Sequence, residues 1–341
     1  MKLDALSLRY EELENKIVQL GEKKFRAKQI YPKLFEGISS FDEIGNISKT
    51  LKAKLNEDLY ISKVSVYNVL ISELDSTRKY LLKLDDNNII EAVLMRYKHG
   101  LSICISSQVG CLMGCSFCAS TIDGLVRNLT AGEMIGQIMA VQNDVNERIS
   151  NIVMMGSGEP LDNFDNLIRF LDIVHHEDSL NIGYRHITVS TCGIVTKIYE
   201  LAKLGYPINL AISLHETTHE KRKSIMPVEN AYPIDMLVQA ARDYANTTKR
   251  RVTFEYALIK DVNDSVEDAN RLSKLLKGMM CHVNLIPVNT VEERTYKRPD
   301  KTTINTFLNT LKNNHIEATV RREMGKDING ACGQLRRSII D

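Results

Sequence analysis

The spacing of apolar residues divides the chain into a helical beginning, a short extended region and a long alternation of strands and helices. Apolar residues recur at three- and four-residue steps from Leu6 to Leu20 and start again at Ile30, which predicts two helices. Ser48 precedes a third such stripe and is suited to cap a helix there. Between residues 60 and 95 the chain changes to short runs rich in β-branched residues, a pattern typical of strands. We therefore predict a helical N-terminal module that leads into a small sheet.

From residue 101 onward, short apolar runs alternate with longer amphipathic stretches. The predicted strands are LSICIS, NIVMMG, HITVS, NLAISL, VTFEYALI and CHVNLI. Helical patterns follow them at residues 131–143, 163–174, 198–204, 234–244, 266–276 and 303–311. Successive strand–helix units predict a parallel sheet with right-handed crossovers, either an open doubly wound sheet or a partial (β/α) barrel. In both architectures the chemistry belongs at the carboxyl ends of the strands.

The composition narrows the class of protein. The chain has 341 residues, 44 basic and 43 acidic side chains and a formal net charge of +1, which permits a local basic face but argues against a uniformly polyanion-binding surface. Its longest apolar runs fall well short of the ~20 residues of a membrane-spanning helix. Acidic residues occupy the N-terminus where a signal peptide would be apolar, so we expect a cytoplasmic protein with no membrane contact. In that reducing compartment the seven cysteines are expected as ligands, nucleophiles or buried small residues.

The most informative motif is Cys111-Leu-Met-Gly-Cys115-Ser-Phe-Cys118, in the loop after the first strand of the alternating region. Three thiolates this close in sequence can hold zinc, copper(I) or an iron–sulfur cluster. A structural zinc needs a fourth ligand, whereas three cysteines on a [4Fe–4S] cluster leave one iron open to a substrate. The motif therefore favours the cluster. Three buried cysteines, or a zinc site that borrows His215 or a distant thiol, are the alternatives.

These residues and their surroundings resemble the RlmN/Cfr family of radical S-adenosylmethionine (SAM) RNA methyltransferases. An aromatic residue, Phe117, precedes the third cysteine, as in radical SAM enzymes generally. The resemblance runs from about residue 25 to residue 336 through Cys104–Cys111, Arg127–Thr130, Met155–Leu161, Ile212–His215, Met226-Pro227, Val262–Asp264, Val283–Pro287 and Ala331–Leu335.

The resemblance implies an α/β fold with four parts. A helical accessory RNA-binding domain would cover residues 1–60, and a β extension would cover residues 61–100. A partial (β/α)6 radical SAM barrel would cover residues 101–315, and a C-terminal segment with a catalytic cysteine would cover residues 316–341.

The same resemblance implies the cofactors and their ligands. One [4Fe–4S] cluster with an open iron would be held by Cys111, Cys115 and Cys118, and each turnover would use two molecules of SAM. The implied SAM contacts are Gly158, Glu159, Ser190, Ser213, Leu214, His215 and Asn289. Gly156 and Gly158 would let the backbone approach the ligand, and Glu159 would accept hydrogen bonds from its ammonium or ribose groups.

The resemblance also assigns the catalytic residues. A sulfonium methyl is an electrophile with nothing to attack at C2 or C8 of adenine, so radical chemistry is delegated to the cofactor. Cys332 would accept a methyl group, and a methylene radical formed from it would add to the base. Cys104 would release the protein–RNA adduct through a transient disulfide with Cys332, and Glu91 would accept the adenine proton.

The family contains two activities: C2 methylation of an adenine in 23S rRNA and of the adenine 3′ to the tRNA anticodon, and C8 methylation of the same rRNA adenine. Glu159-Pro160-Leu161 and residues 319–325 resemble the C2 type, which we therefore predict, with C8 methylation as the alternative. A cluster-carrying RNA-binding protein without turnover is an alternative of another class. Two departures from the family pattern are Ser157, where methionine is usual, and Asn329-Gly330, where Asp-Ala is usual.

The expected partners follow from this chemistry. They are 23S rRNA, tRNA, an external electron donor such as flavodoxin or ferredoxin, and a thiol reductant. We expect the protein itself to be a monomer. Candidate RNA contacts are the basic clusters Lys23–Lys28, Lys249–Arg251, Lys297-Arg298, Arg321-Arg322 and Arg336-Arg337.

Overall fold

The computed structural model describes residues 2–289, 291 and 293–335. The chain begins with a helical module closed by a short parallel ladder. In chain order the elements of this module are β1 (Leu3–Asp4), α1 (Tyr10–Gln19), α2 (Arg26–Leu34), α3 (Lys49–Asp58) and β2 (Leu59–Tyr60). β1 pairs with β2. Ser48 caps α3 as predicted, because its hydroxyl accepts a hydrogen bond from the Leu51 N–H at 3.1 Å.

An antiparallel sheet follows the helical module. Its strands are β3 (Ser65–Ile71), β4 (Arg78–Lys83), β5 (Ile89–Tyr97) and β6 (Gly100–Cys104). A separate hairpin, β7 (Gln108–Gly110) and β8 (Leu125–Asn128), then encloses the loop that carries the three clustered cysteines.

The rest of the chain alternates between helices and parallel strands. In order, these elements are α4 (Ala131–Val145), β9 (Ile149–Met154), α5 (Phe164–His175), β10 (Ile187–Thr191), α6 (Val195–Leu204), β11 (Asn209–Ser213), α7 (His219–Ile225), α8 (Ile234–Thr248), β12 (Val252–Leu258), α9 (Val266–Leu276), β13 (Cys281–Pro287), α10 (Lys301–Asn313) and β14 (Ala318–Val320). Within the described residues, one sheet runs β14-β13-β12-β11-β10-β9-β6-β5-β4-β3. It is parallel from β14 to β6 and antiparallel beyond.

The predicted strands and the partial-barrel fold are confirmed, with two differences. β14 adds another parallel strand, and α7 adds a short helix between β11 and α8. Both elements are too short to produce a recognisable apolar period. The β extension is also continuous with the barrel, since β5 pairs directly with β6 through a tight turn. The four-part domain division remains a prediction.

The helical module is fixed to the outer helices of the barrel. Arg9 forms an ion pair with Asp172 of α5 at 2.6 Å, and Arg169 of α5 pairs with Glu12. Buried apolar side chains of the module join the same hydrophobic core as the barrel. Of the helices in the described ranges, none has the length and apolar character needed to cross a bilayer.

Candidate active site

One cavity of about 160 Å³ lies at the carboxyl ends of the parallel strands. Most of the side chains singled out from the sequence line it: Cys111, Cys115, Cys118, Gly158, Glu159, Ser190, Ser213, His215, Asn289 and Cys332. They come from loops that are up to 221 residues apart in the chain, and the parallel sheet brings them together because its strand ends share one edge. Cys104, Glu91 and Leu214 are not among the described lining residues.

The cysteine loop is held in place by backbone hydrogen bonds. The Cys111 N–H donates to the Gly124 carbonyl at 3.0 Å, and the Ser116 N–H donates to the Ile225 carbonyl at 2.9 Å. Burial raises the pKa of the Cys111 thiol to about 12 and also raises the pKa values of Cys115 and Cys118. As free thiols these groups would therefore be protonated, and a bound metal centre would be needed to stabilise them as thiolates.

The donor set fits a [4Fe–4S] cluster. Three sulfur atoms facing one cavity form a soft donor set. Among the described residues, no group of three or more His, Cys, Asp or Glu side chains is arranged to hold a single metal ion. A cluster instead places each thiolate on a different iron atom. The three thiols are therefore compatible with the cluster that the motif favours.

The Glu159 carboxylate joins the ends of two neighbouring strands. Its Oε1 accepts a hydrogen bond from the Leu161 N–H at 3.0 Å, and its Oε2 accepts one from the Cys192 N–H at 2.7 Å. Burial raises the pKa of Glu159, and these backbone hydrogen bonds oppose that change. A carboxylate has about four acceptor positions, so Glu159 can still accept from a ligand in the cavity.

His215 is a buried, neutral side chain at the end of β11. Its Nδ1 accepts a hydrogen bond from the Ala257 N–H at 2.9 Å. Burial, followed by the charge of Arg222, lowers the pKa of His215 to about 3. A neutral ring that accepts at Nδ1 carries its hydrogen on Nε2. His215, which packs edge-on against Phe117 with ring centres 4.8 Å apart, can therefore donate a hydrogen bond.

The two glycines of the loop after β9 are required by neighbouring backbone. A Cβ on Gly156 would lie 2.6 Å from the Ile105 carbonyl oxygen. Gly158 has a φ of +105°, and a Cβ there would lie 2.7 Å from the Gln108 nitrogen. From the sequence we predicted that these glycines leave room for a ligand. The structure gives a nearer reason for glycine, because a side chain at either position would collide with the chain segment after β6.

The departure at Ser157 does not alter the described lining of the cavity. The Ser157 N–H donates to the Ser106 hydroxyl at 3.0 Å, and the Ser157 side chain is buried. It is not among the described lining residues, although both of its glycine neighbours are.

Leu214, an implied SAM contact, points its side chain away from the cavity. The side chain lies in the hydrophobic core, and the Leu214 carbonyl accepts a hydrogen bond from Arg222 Nε at 3.0 Å. Arg222 also donates to the carbonyls of Cys192 at 2.7 Å and Ser213 at 3.2 Å. Its guanidinium pairs with Glu229 at 2.5 Å, and both side chains are fully buried. Sequence reasoning missed Arg222 because α7 was not predicted.

Cys332 lines the cavity, whereas Cys104 is buried outside its described lining. The Cys332 carbonyl accepts a hydrogen bond from the Asn289 side chain at 3.0 Å. Cys104 is only 7% exposed and packs in a small apolar cluster with Met324 and Leu335, which flank Cys332 in the chain. Burial, together with the neighbouring Cys332, raises the pKa of the Cys104 thiol to about 12.

Arg321 is a functional candidate that was assigned to RNA contact from the sequence. Its side chain is only partly exposed and lines the cavity with Cys332. Its Nη1 lies 3.5 Å from Glu255 Oε2 and from Met155 Sδ. The Cys332 charge raises the pKa of Arg321, so the guanidinium stays charged beside the thiol. Arg321 directly follows β14, and a position at a strand end is where functional residues are expected in this fold. The sequence analysis could not use this signal because it did not predict β14.

The basic clusters do not share one face. Lys249–Arg251 directly precede β12 and therefore lie at the amino ends of the strands, opposite the cavity. Arg298 and Arg322, by contrast, line a smaller cavity that also contains Cys332. Arg336-Arg337 lie outside the described residues.

Comparisons with known proteins place this geometry in a family. Residues 105–273 match the model of the Radical SAM superfamily, and residues 3–61 match the Ribosomal RNA large subunit methyltransferase N-terminal domain.

Similar proteins include a probable dual-specificity RNA methyltransferase RlmN from Clostridium botulinum (strain Eklund 17B / Type B). It is 60% identical to this chain, and the aligned region covers 97% of this chain and 95% of the relative. Another protein of that name, from Alkaliphilus oremlandii, is 59% identical over 98% of both chains. The crystal structure of a radical SAM methyltransferase from Sphaerobacter thermophilus is 41% identical, with a TM-score of 0.92 over 98% of this chain and 99% of that one. This similarity extends over almost the entire length, and the chain therefore belongs to the RlmN family of radical SAM RNA methyltransferases.

Proposed function

We propose that this chain methylates C2 of one adenine in 23S rRNA and C2 of the adenine 3′ to the anticodon in tRNA. The observation that carries the proposal is the position of Cys332, a thiol that shares one cavity with the three cysteines of the CxxxCxxC motif. A simple radical SAM site would need only those three cysteines. A thiol beside them supports a methyl group carried on the protein.

Cys111, Cys115 and Cys118 would hold the cluster, of which we propose one per chain. With SAM bound, it supplies the electron that yields a carbon radical able to remove a hydrogen atom. Glu159 and His215 would orient the cosubstrate, since they offer an acceptor and a donor on different strand ends. Two SAM molecules per turnover are required, since one provides the methyl group and another the radical.

Cys332 would carry the methyl group between these steps. The Asn289 side chain holds the Cys332 carbonyl, and the Gly333 carbonyl accepts a hydrogen bond from the Ala119 N–H at 2.8 Å. Ala119 directly follows Cys118, so the segment that carries Cys332, residues 321–335 (the carrier segment), is tied to the cysteine loop. This connection favours hydrogen removal from a methyl group on Cys332.

Cys104 would release the methylated base. Its thiolate attacks the Cys332 sulfur, an S–S bond forms, and the bond between that sulfur and the methylene carbon breaks. Before that attack the radical adduct would lose one electron, which the oxidised cluster would accept, and the C2 proton, which Glu91 would accept. The electron pair of the broken S–C bond then goes to the base, whose new carbon takes a proton to become methyl. A thiol reductant must then return two electrons to the disulfide. Arg321 supports this role because its positive charge opposes part of the rise in the pKa of the buried Cys104 thiol.

The remaining partners follow from the same steps. We propose that a flavodoxin or ferredoxin provides electrons for SAM cleavage, that the enzyme acts as a monomer, and that it works in the cytoplasm, where rRNA and thiol reductants occur. The C8 alternative is not favoured, since the similar proteins bear the RlmN name.

The test is mass spectrometry of nucleosides from RNA treated with reconstituted enzyme, SAM and a reductant. We expect 2-methyladenosine, together with S-adenosylhomocysteine and 5′-deoxyadenosine. Cys332→Ala should produce no methylated adenine. Formation of 8-methyladenosine would contradict the proposed position, and RNA binding without consumption of SAM would support the binding-protein alternative.

A further inference from the structure

Asn263 belongs to the Val262–Asp264 motif, which has no role in the reaction steps above. Its side chain is fully buried in the loop between β12 and α9. It does not belong to the described lining of the cavity at the carboxyl ends of the strands, whereas His215 and Ala257 do. An influence of Asn263 on the cosubstrate would therefore pass through these two neighbours.

The Asn263 amide joins two strand ends through three hydrogen bonds. Its Nδ2 donates to the His215 carbonyl at 2.7 Å and to the Ala257 carbonyl at 2.7 Å. Its Oδ1 accepts from the Ile259 N–H at 2.7 Å. His215 follows β11, while Ala257 and Ile259 lie at or just after the end of β12. Because a backbone N–H can only donate and a carbonyl can only accept, these neighbours fix the orientation of the amide.

The backbone of Asn263 is itself anchored to β12. The buried Tyr256 hydroxyl donates to the Asn263 carbonyl at 3.0 Å. The Asn263 N–H donates to the Ile259 carbonyl at 3.3 Å. The side-chain amide is therefore presented to His215 from a fixed support.

His215 has a backbone conformation that needs such support. Its φ of +59° lies in the left-handed region, which is uncommon for residues other than glycine and persists only where surrounding contacts hold it. The Glu216 N–H donates to the Leu214 carbonyl at 2.8 Å, so the chain turns sharply at His215. The His215 ring accepts from the Ala257 N–H at 2.9 Å. Since Asn263 holds the carbonyls of both His215 and Ala257, one amide controls the backbone and the ring of His215.

We propose that Asn263 is a positioning residue for SAM, because it holds His215 in the conformation that presents the imidazole ring to the cavity. The inference rests on the proposed function, in which His215 orients the cosubstrate, and deepens it. Without the Asn263 donor, the left-handed turn can relax and the ring can leave its position. A merely structural role would lower the stability of the fold, but its effect on SAM would not require the His215 ring.

The test uses the isosteric change Asn263→Asp in full-length, cluster-loaded enzyme, alone and combined with His215→Ala. The aspartate keeps an acceptor for the Ile259 N–H, but it faces two carbonyl groups with an oxygen in place of the donor. The SAM dissociation constant would be measured by equilibrium dialysis without RNA, and RNA affinity by fluorescence anisotropy. The amounts of 5′-deoxyadenosine and 2-methyladenosine would be measured after turnover.

Asn163→Asp is the matched control. Asn163 is also buried, and its Nδ2 likewise donates to two backbone carbonyls, those of Ser107 at 2.9 Å and Leu129 at 2.7 Å. Neither Asn163 nor these two partners belongs to the described lining of the cavity. Any effect of this change on SAM binding should therefore be the same with and without the His215 ring.

For Asn263→Asp we expect about tenfold weaker SAM binding when His215 is present, and less than about twofold further weakening in His215→Ala. RNA affinity should be unchanged. More 5′-deoxyadenosine should form per 2-methyladenosine, because a misplaced cosubstrate is cleaved without productive hydrogen removal. If Asn263→Asp does not fold, Tyr256→Phe provides the measurement. It releases only the Asn263 carbonyl and should weaken SAM binding by about threefold, again only when His215 is present.

Equal weakening of SAM binding with and without the His215 ring would overturn the inference, as would unchanged SAM binding in folded Asn263→Asp. Parallel losses of SAM and RNA affinity would likewise show a merely structural role. If His215→Ala alone leaves SAM binding unchanged, the role proposed for His215 fails, and the inference with it. Formation of 8-methyladenosine by the unchanged enzyme would instead contradict the proposed function and leave the inference standing, since SAM binding is measured without RNA.

Discussion

At the scale of single residues, Arg222 organises much of the cosubstrate side of the cavity without lining it. Its guanidinium donates to three carbonyl groups at the ends of β10 and β11 and pairs with Glu229. Ser213 is itself a predicted SAM contact, and Cys192 lines the same cavity. Arg222 therefore fixes the relative positions of two strand ends through their backbone.

Replacing Arg222 by Met should weaken SAM binding by about tenfold or more, because the two strand ends lose their shared donor. Loss of one partner from a buried ion pair should also reduce the free energy of unfolding by about 3–5 kcal/mol. The SAM dissociation constant would be measured by equilibrium dialysis at a temperature where the variant is folded. Arg222→Lys should retain part of the affinity, and Arg242→Met, which changes a partly exposed arginine on α8 outside the described cavity lining, should retain all of it. Unchanged affinity in folded Arg222→Met would refute this role.

At the scale of secondary-structure elements, the segment after β14 is held by the turn between β3 and β4. Asp327 accepts hydrogen bonds from the Ser72 hydroxyl at 2.6 Å and from the Glu73 N–H at 2.9 Å. Asp75 accepts one from the Gly325 N–H at 3.0 Å. This carrier segment, residues 321–335, thus spans from the β extension to the cysteine loop.

Asp327→Asn should loosen the carrier segment, because the amide cannot accept both hydrogen bonds with the strength of a charged carboxylate. We expect faster amide hydrogen exchange at residues 325–333 and several-fold slower formation of the Cys104–Cys332 disulfide. Asp235→Asn, at an exposed position on α8, provides the control. Unchanged exchange in the carrier segment of Asp327→Asn would show that this contact does not hold it.

The predictability of these elements depended on their length and on the distance between contacting residues. The six apolar strands and the Ser48 cap were predictable because their signals are local in the sequence. β14 and α7 are short, so Arg321 and Arg222 could not be placed. The ion pair between Lys79 and Glu91 depends on the register between β4 and β5, which the strand pattern alone left undetermined.

At the scale of the whole molecule, the near-zero net charge conceals an uneven distribution of cations around the sheet. Arg298 and Arg322 lie with Cys332 at the carboxyl edge of the strands, while Lys249–Arg251 lie at the amino edge. The sequence prediction treated these clusters as equivalent, because it could not assign them to an edge. We therefore expect the cations at the carboxyl edge, rather than those at the amino edge, to contact an RNA whose adenine reaches Cys332.

Charge removal at the two edges should therefore have different effects on RNA affinity. Arg322→Gln should weaken RNA binding and reduce the slope of log affinity against log salt by about 1, as expected for one lost phosphate contact. Lys249→Gln, also at an exposed position, should leave both quantities unchanged. Fluorescence anisotropy with a labelled rRNA fragment over a range of salt concentrations would measure both. Equal weakening by the two variants would contradict this orientation.

The central claim is that the new methyl group passes through Cys332 and loses one hydrogen there. It is tested most directly by supplying SAM with a fully deuterated methyl group to enzyme whose Cys332 carries no methyl at the start. Mass spectrometry of the product should show 2-methyladenosine with two deuterium atoms and one solvent-derived hydrogen in its methyl group. A product that retains all three deuterium atoms would mean direct transfer of an intact methyl group and would contradict the account.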